Sequence, residues 1–184
     1  MTPKQRRDAL FRHSRPELRA FELYDGDEYH KDLKILWVAH QKNPLHEIPE
    51  GLDQQEFADY IEEVVKRVEV FVIDDENDQY DGHGPVAVGI IADDGWKYEP
   101  HINYFPWATN RNILRGTVSG LQMYRYSRQV GCVLVKSLEQ SKNLFDHVCK
   151  YGVLHYVGKI VNGDPRGDEY LYSVRGKRNV TRIR

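Results

Sequence analysis

Residues 105–116 read FPWATNRNILRG, and this stretch joins a predicted strand to a predicted helix. The strand runs from about His101 to Phe105, where polar and apolar side chains alternate. The helix is predicted over residues 112–128, in which apolar side chains recur at spacings of three and four. A strand that passes directly into a helix favours an α/β domain, since such domains are built from strands connected through helices.

A second strand and helix follow the first pair. Residues 132–135 are wholly apolar, which is typical of a strand covered on both faces. Ser137 and Gln140 have the spacing of a capping box, which predicts that a helix begins there. Gly152 has the place of a left-handed residue at the end of this helix. The strand-helix-strand-helix order over residues 101–151 predicts partly parallel pairing through right-handed crossovers.

The remaining predicted elements lie on either side of this centre. A period of 3.6 residues predicts helices over 28–41 and 53–65, with Asp53 as the N-cap of the second. The acidic stretch 74–84 is predicted to be a solvated hairpin loop, and residues 162–167 have the composition of a hairpin turn. Period-two patterns predict strands over residues 68–73, 85–92, 153–161 and 169–174, and one more strand at 18–24 would precede them.

Composition and charge are those of a single globular domain. The chain has 184 residues, of which 40% are hydrophobic and 29% are charged. We expect one domain over residues 17–176, a basic arm over 1–16 and a basic tail over 177–184. The net charge of −2 provides no overall field that would favour nucleic acid. Basic residues crowd the two ends, so acidic charge is concentrated in the middle of the chain.

Several classes of protein are not supported by the sequence. No apolar run approaches 18 residues and the basic N-terminus has no apolar segment behind it, so neither a membrane span nor a secretory signal is predicted. Cys132 and Cys149 lack the spacing of a metal site or redox motif. The acidic residues of 74–81 lack the glycine and the final glutamate of a calcium loop, so no metal site is predicted. These features predict a soluble cytoplasmic protein with reduced thiols.

The order of elements, together with FPWATNRNILRG at 105–116 and FDHVCKYGV at 145–153, resembles the GNAT superfamily of acyl-coenzyme A N-acyltransferases. The resemblance covers roughly residues 68–174, and the two motifs look like those of divergent GNAT-like proteins of tailed bacteriophages. It implies an α/β (α+β) fold with a central mixed, mostly antiparallel sheet, two splayed parallel central strands and helices on both faces. It also implies acetyl-coenzyme A as cosubstrate.

The resemblance implies a diphosphate site where the central strand meets the central helix. Arg111, Leu114 and Gly116 occupy the defined positions of the family's signature, with leucine in place of its first glycine. A helix N-terminus suits a diphosphate because its unpaired amides and partial positive charge favour anions. The candidate cofactor-binding residues are Phe105, Trp107, Arg111, Asn112, Leu114, Arg115, Gly116 and Thr117.

A base is needed to take a proton from the acceptor amine. The candidates are Glu99, His101 and Asn103, of which the last two share one face of their strand. Strand alternation alone also produces such polar pairs, so a half-exposed structural role is the alternative.

An acid is needed to protonate the leaving thiolate. Counted back from Gly152, the asparagine of the resembled family falls on Ser141 and its tyrosine falls on Val148. Ser141 and Tyr151 are therefore our candidates, with His147 nearby as a weaker one.

The acceptor is expected to be an amine, either of a small molecule or of a protein. Two other hypotheses stay open. The first is a GNAT-like protein that has lost catalysis and serves as a phage structural or interaction protein, because the leucine at 114 and the valine at 148 depart from the family. The second is a phage enzyme that modifies nucleic acid, which the basic termini would bind through phosphate groups.

Overall fold

The computed structural model describes residues 1–45, 48–80, 82–93, 98–127 and 132–175, with side chains except at 80, 92–100, 123–134 and 175. The chain forms two compact units. One unit comprises residues 16–116, and the other comprises residues 1–15 and 117–184. None of the helices in the described residues combines the length and the apolar composition that a membrane span requires.

The unit of residues 16–116 is built on a four-stranded antiparallel sheet. Its strands, in their order across the sheet, are β1 (Glu17–Ala20), β4 (Glu69–Asn77), β5 (Gly82–Asp93) and β6 (Tyr98–Tyr104). A separate small hairpin is formed by β2 (Tyr24–Asp25) and β3 (Glu28–Tyr29). The predicted strand at 18–24 is therefore shorter, ending at Ala20. β6 lies at one edge of this sheet.

Two helices complete the core of this unit, α2 (Lys31–Lys42) and α3 (Gln54–Val65). Their buried faces form one apolar cluster with residues of the sheet, including Val88 and Phe105. The predicted N-cap Asp53 is confirmed, since its side chain accepts hydrogen bonds from the amides of Gln55 and Glu56. The helix predicted from residue 28 begins only at Lys31, because Glu28 and Tyr29 pair in the small hairpin.

The prediction of a solvated loop over residues 74–84 is wrong. β4 continues to Asn77 and β5 already begins at Gly82, so only a short turn that includes the 3-10 segment Asp78–Tyr80 separates the two strands. Asp75 is fully buried and Asn77 is nearly so. The acidic composition indicated a loop because a buried carboxylate is costly, but here Asp75 has a buried cationic partner, described below.

The other unit contains a three-stranded antiparallel sheet with the order β7-β9-β8. Its elements are helix α1 (Pro3–Leu10), the C-terminal part of α4 (Asn110–Ser127), β7 (Cys132–Leu138), α5 (Glu139–Cys149), β8 (His155–Asp164) and β9 (Gly167–Arg175). Gly152 has a φ of 68°, the left-handed conformation predicted for it. The predicted final hairpin is also present, with its turn between Asp164 and Gly167. The predicted tail at 177–184 lies outside the described residues.

The prediction of a capping box at Ser137 and Gln140 is wrong. Ser137 is a buried residue of β7 opposite Tyr170 of β9, and its hydroxyl donates to the carbonyl of Leu138. α5 begins at Glu139 with Leu138 as its N-cap, which makes no side-chain capping bond. Ser137 therefore pairs within the sheet, although the local motif predicted that it would cap the helix.

Candidate functional site

The turn from β6 into α4 is anchored to strand β5. The Phe105 amide donates to the carbonyl of Val86 at 2.9 Å, and the indole Nε1 of Trp107 donates to the carbonyl of Pro85 at 2.8 Å. The rings of Phe105 and Trp107 lie 5.0 Å apart, and Phe105 is buried. These contacts fix the course of the turn. They also occupy the Phe105 amide and the Trp107 indole, and the Phe105 carbonyl accepts from the Ala108 amide at 2.9 Å, so a ligand could use these groups only by displacing an existing hydrogen bond.

The start of α4 is capped by a reciprocal pair of hydrogen bonds. The Asn112 amide donates to Oγ1 of Thr109 at 3.2 Å, and the Thr109 amide donates to Oδ1 of Asn112 at 3.0 Å. This cap places the first helical residue at Asn110, two residues before the predicted start. Asn110 and Arg111 are exposed in the first turn, where amide groups have no acceptor within the helix. The mouth of α4 is therefore at the surface.

Beneath that mouth lies a buried ion pair between Arg115 and Asp75. Both side chains are fully buried, and the guanidinium contacts the carboxylate from Nε at 3.1 and 3.0 Å and from Nη2 at 2.8 Å. The side-chain amide of Asn112 donates to Asp75 at 3.0 Å and to the carbonyl of Glu76 at 2.8 Å. Arg115 and Asn112 thus hold α4 against β4.

Other residues of the predicted diphosphate site lie in the interior too. Thr117 is buried and Leu114 is half-buried. A β-carbon built on Gly116 would lie 2.9 Å from the Tyr104 hydroxyl, so glycine here allows close packing of α4 on β6. Of the cationic residues predicted for this site, only Arg111 lies at the surface of the first turn.

Arg111 continues a chain of alternating charges. Its Nη1 lies 3.1 Å from Oε2 of Glu76, whose Oε1 lies 3.7 Å from Nη2 of Arg115. Both members of the outer pair are accessible, with 57% of the Arg111 side chain and 39% of the Glu76 side chain exposed. The order from surface to interior is therefore Arg111, Glu76, Arg115 and Asp75.

The candidate bases lie on β6. His101 and Asn103 are half-buried, lie opposite Ile90 and Val88 of β5, and share one face of the sheet as predicted. Glu99 belongs to the same strand, and its side chain lies outside the described residues.

The candidate acids belong to the other unit. Ser141 is half-buried on α5, and Tyr151 follows the helix with its ring centroid 5.7 Å from that of His147. The carbonyl of Tyr151 accepts a hydrogen bond from Arg7. Val148, which stands where the resembled family has its tyrosine, is completely buried. The structure brings Ser141, His147 and Tyr151 to one helix and its end.

Two tyrosines of β9 were not among the predicted site residues. The Tyr172 hydroxyl donates to Oδ1 of Asp146 at 2.8 Å, and the Tyr170 hydroxyl donates to Glu139. Burial and the Asp146 carboxylate raise the pKa of Tyr172, and the hydrogen bond to Glu139 raises the pKa of Tyr170. The sequence does carry a signal, because residues 139 and 146 are two helical turns apart and residues 170 and 172 share a strand face.

Comparison with known proteins identifies the fold. No family model and no curated protein matches the chain. An acetyltransferase of the GNAT family from Bacillus anthracis superposes with a TM-score of 0.62 at 14% identity, covering 88% of this chain and 95% of that one. The spermidine N-acetyltransferase of Vibrio cholerae, in complex with coenzyme A and spermine, superposes with a TM-score of 0.60 at 12% identity, covering 88% and 95%. The chain therefore has the mixed α/β fold of the GNAT acetyltransferases, as its sequence predicted.

Proposed function

We propose that this protein is an acyl-coenzyme A dependent N-acyltransferase that transfers an acetyl group to an amine within a ternary complex. The observation that carries the proposal is the surface mouth of α4, at the strand-to-helix turn of a GNAT fold. There the first-turn amides of the exposed residues Asn110 and Arg111, together with the Arg111 guanidinium, form an anion-binding group. In this proposal the remaining predicted residues support the helix; they are Asn112, Leu114, Arg115, Gly116 and Thr117.

Acetyl transfer from the thioester to the amine balances without any other reactant. A protonated amine first loses one proton to a base and through it to solvent. The neutral nitrogen then attacks the thioester carbonyl, the carbon–sulfur bond breaks, and a second proton leaves the nitrogen while one reaches the sulfur. We assign the first proton to a group on β6, with His101 or Glu99 as the base and Asn103 as a neighbour that orients it. We assign the proton that reaches the sulfur to Tyr151, which follows the end of α5, and keep Ser141 in the first turn of that helix as the alternative donor.

The charge distribution supports an amine as acceptor. Residues 16–116 contain 22 acidic and nine basic residues, which gives a net charge of −13. An amine is a cation at neutral pH, and a surface of one sign attracts ligands of the opposite sign. Spermine, which is bound in the structure of the Vibrio cholerae spermidine N-acetyltransferase, is such a polycation. We therefore place polyamines first among the acceptors to test.

The test is calorimetric titration of the purified protein with coenzyme A. We expect binding that Arg111→Ala weakens by about tenfold or more, since a hydrogen bond to a charged group is worth about 1.5–3 kcal/mol. Arg67→Ala removes another exposed arginine and should change nothing. Failure of the wild-type protein to bind coenzyme A would contradict the proposal, and so would an unchanged affinity of the Arg111 variant.

A GNAT fold without catalysis is the second candidate function, because Val148 is a buried core residue at the position of the usual acid. This alternative predicts coenzyme A binding without turnover of acetyl-coenzyme A in the presence of spermine, spermidine or protein amines. Measurement of free coenzyme A thiol with a thiol reagent distinguishes this non-catalytic alternative from an active enzyme.

Nucleic-acid binding is the third candidate, and it is favoured by the other unit. Residues 1–15 and 117–184 contain 17 basic and six acidic residues, a net charge of +11. Binding to phosphate groups would weaken steeply with salt. Titration of labelled duplex DNA between low and physiological salt tests it, and an affinity independent of salt would exclude it.

A further inference from the structure

Glu76 lies beside the proposed anion-binding group, although its carboxylate is negatively charged, as the diphosphate ligand is. It lies in β4, next to the end of the strand, and its Oε2 is 3.1 Å from Nη1 of Arg111. Its backbone carbonyl is held by the side-chain amide of Asn112 at 2.8 Å, so the residue has a fixed place beside the first turn of α4.

We propose that Glu76 is a built-in competitor for the diphosphate, a carboxylate that pairs with Arg111 and thereby lowers the affinity of the site for coenzyme A. The inference rests on the proposed function of the α4 mouth. Among the described residues Arg111 forms one ion pair, with an accessible carboxylate, and a negative charge beside the guanidinium opposes the binding of a diphosphate whether or not the pair is broken.

The buried part of the charge chain shows why release of Arg111 would leave the fold intact. Arg115 contacts Asp75 at 2.8 to 3.1 Å, and its contact with Glu76 is longer, at 3.7 Å. Asp75 and Arg115 therefore remain paired whichever partner Arg111 takes. The outer pair is accessible to water, whereas the inner pair is fully buried. A change in the partner of Arg111 would therefore involve only groups at the surface.

This arrangement gives the sign and size of the effect of Glu76→Gln. Exposed ion pairs contribute up to about 1 kcal/mol, so removing the competing charge should tighten coenzyme A binding by about two- to fivefold. The gain should shrink as salt is raised, because an exposed carboxylate is increasingly screened. A residue with only a structural role would weaken binding when replaced and would show no such salt dependence.

The experiment measures coenzyme A affinity by calorimetry for four proteins: wild type, Glu76→Gln, Arg111→Ala and the double variant. We expect Glu76→Gln to tighten binding in the wild-type background and to give no gain once Arg111 is absent. Glu69→Gln makes the same change at the first residue of β4, and it should leave the affinity unchanged. Thermal melts of each variant verify that the fold is retained.

The outcomes separate the two proposals. If the wild-type protein fails to bind coenzyme A, the proposed function is refuted and this inference with it. If the wild-type protein binds but Glu76→Gln leaves the affinity equal or lower, the competitor role is refuted while the proposed function stands. A gain that persists in the Arg111→Ala background, or that Glu69→Gln reproduces, also refutes the pairing of Glu76 with Arg111.

Discussion

At the residue scale, the ion pair of Arg115 and Asp75 determines how α4 is seated. Both side chains are fully buried, and Asn112 adds a further hydrogen bond to the same carboxylate. Removing one member of a buried pair leaves an uncompensated charge in the interior, and the cost of that charge exceeds the value of the pair itself.

We therefore predict that Arg115→Met lowers the free energy of unfolding by about 3–5 kcal/mol. Arg111→Met deletes a neighbouring arginine whose ion pair is exposed, and its cost should stay below about 1 kcal/mol. Urea denaturation followed by circular dichroism measures both values. Equal effects of the two substitutions would mean that burial of the Asp75–Arg115 pair carries no special weight.

Gly89 permits a second close contact inside the same unit. It lies opposite Phe71 in the β4–β5 ladder, and a β-carbon built on it would lie 2.2 Å from Cζ of the Phe71 ring. Gly89→Ala must therefore displace the ring, and we predict a loss of about 1–3 kcal/mol in the free energy of unfolding. Gly158→Ala in β8 meets no atom within 4 Å and should be nearly neutral. A neutral Gly89→Ala would show that the ring moves aside freely.

At the element scale, the start of α4 depends on Thr109. Its hydroxyl accepts from the Asn112 amide, which satisfies one of the helix's unpaired donors. Thr109→Ala should reduce the free energy of unfolding by about 1 kcal/mol, the usual value of an N-cap, while Thr109→Ser should retain most of it. Chemical denaturation measures both, and a serine variant as unstable as the alanine variant would contradict the capping role.

Elements were predictable from the sequence where local contacts determine them. Asp53 caps α3 through amides two and three residues away, and Gly152 is left-handed just after its helix, so a short window of sequence contains the whole cause. The burial of Asp75 could not be predicted in this way, since its partner Arg115 is forty residues farther along the chain. When the partner of a carboxylate is not evident from the nearby sequence, the carboxylate is predicted to be exposed to solvent.

The same reasoning explains which part of the candidate site was predicted. The strand-to-helix turn and Arg111 follow from the order of elements, whereas the interior position of Arg115 and Asn112 depends on β4 extending through Asp75. Ser137 shows the competing effect, because its pairing with Tyr170 in the ladder overrode a local capping motif. The structure at such positions is determined by tertiary pairing, which the periodicity of the sequence alone does not predict.

At the scale of the whole molecule, ion pairs make the fold sensitive to acid. Carboxyl groups with a lowered pKa occur in both units, and the described ones are Asp32, Glu62, Glu63, Asp146, Asp164 and Asp168. Most of them are accessible and contribute little, since solvent screens exposed pairs. Asp32 differs because its side chain is 1% exposed and receives two hydrogen bonds from Arg19, at 2.6 and 2.8 Å.

Burial would by itself raise the pKa of Asp32, but the hydrogen bonds from Arg19 and from the Glu22 amide outweigh it and hold the pKa below its ordinary value. A carboxyl group with a lower pKa in the folded protein than in the unfolded chain stabilises the fold fully above the unfolded pKa. That stabilisation is lost as the pH falls through the folded pKa. Asp32 should therefore contribute at neutral pH and lose its contribution progressively below about pH 4, the ordinary range of an aspartate.

We predict that the free energy of unfolding of the wild-type protein falls between about pH 4 and pH 2, and that it falls less in Asp32→Asn, which has no proton to take up there. The variant should be the less stable protein at pH 7, because the pair with Arg19 is lost. Urea titrations at pH 7, 4 and 3 measure the slope, and Asp25→Asn, at an exposed position of β2, should keep the wild-type slope. An equal decline in the wild-type protein and in Asp32→Asn would show that the acid sensitivity arises elsewhere, in the accessible pairs taken together.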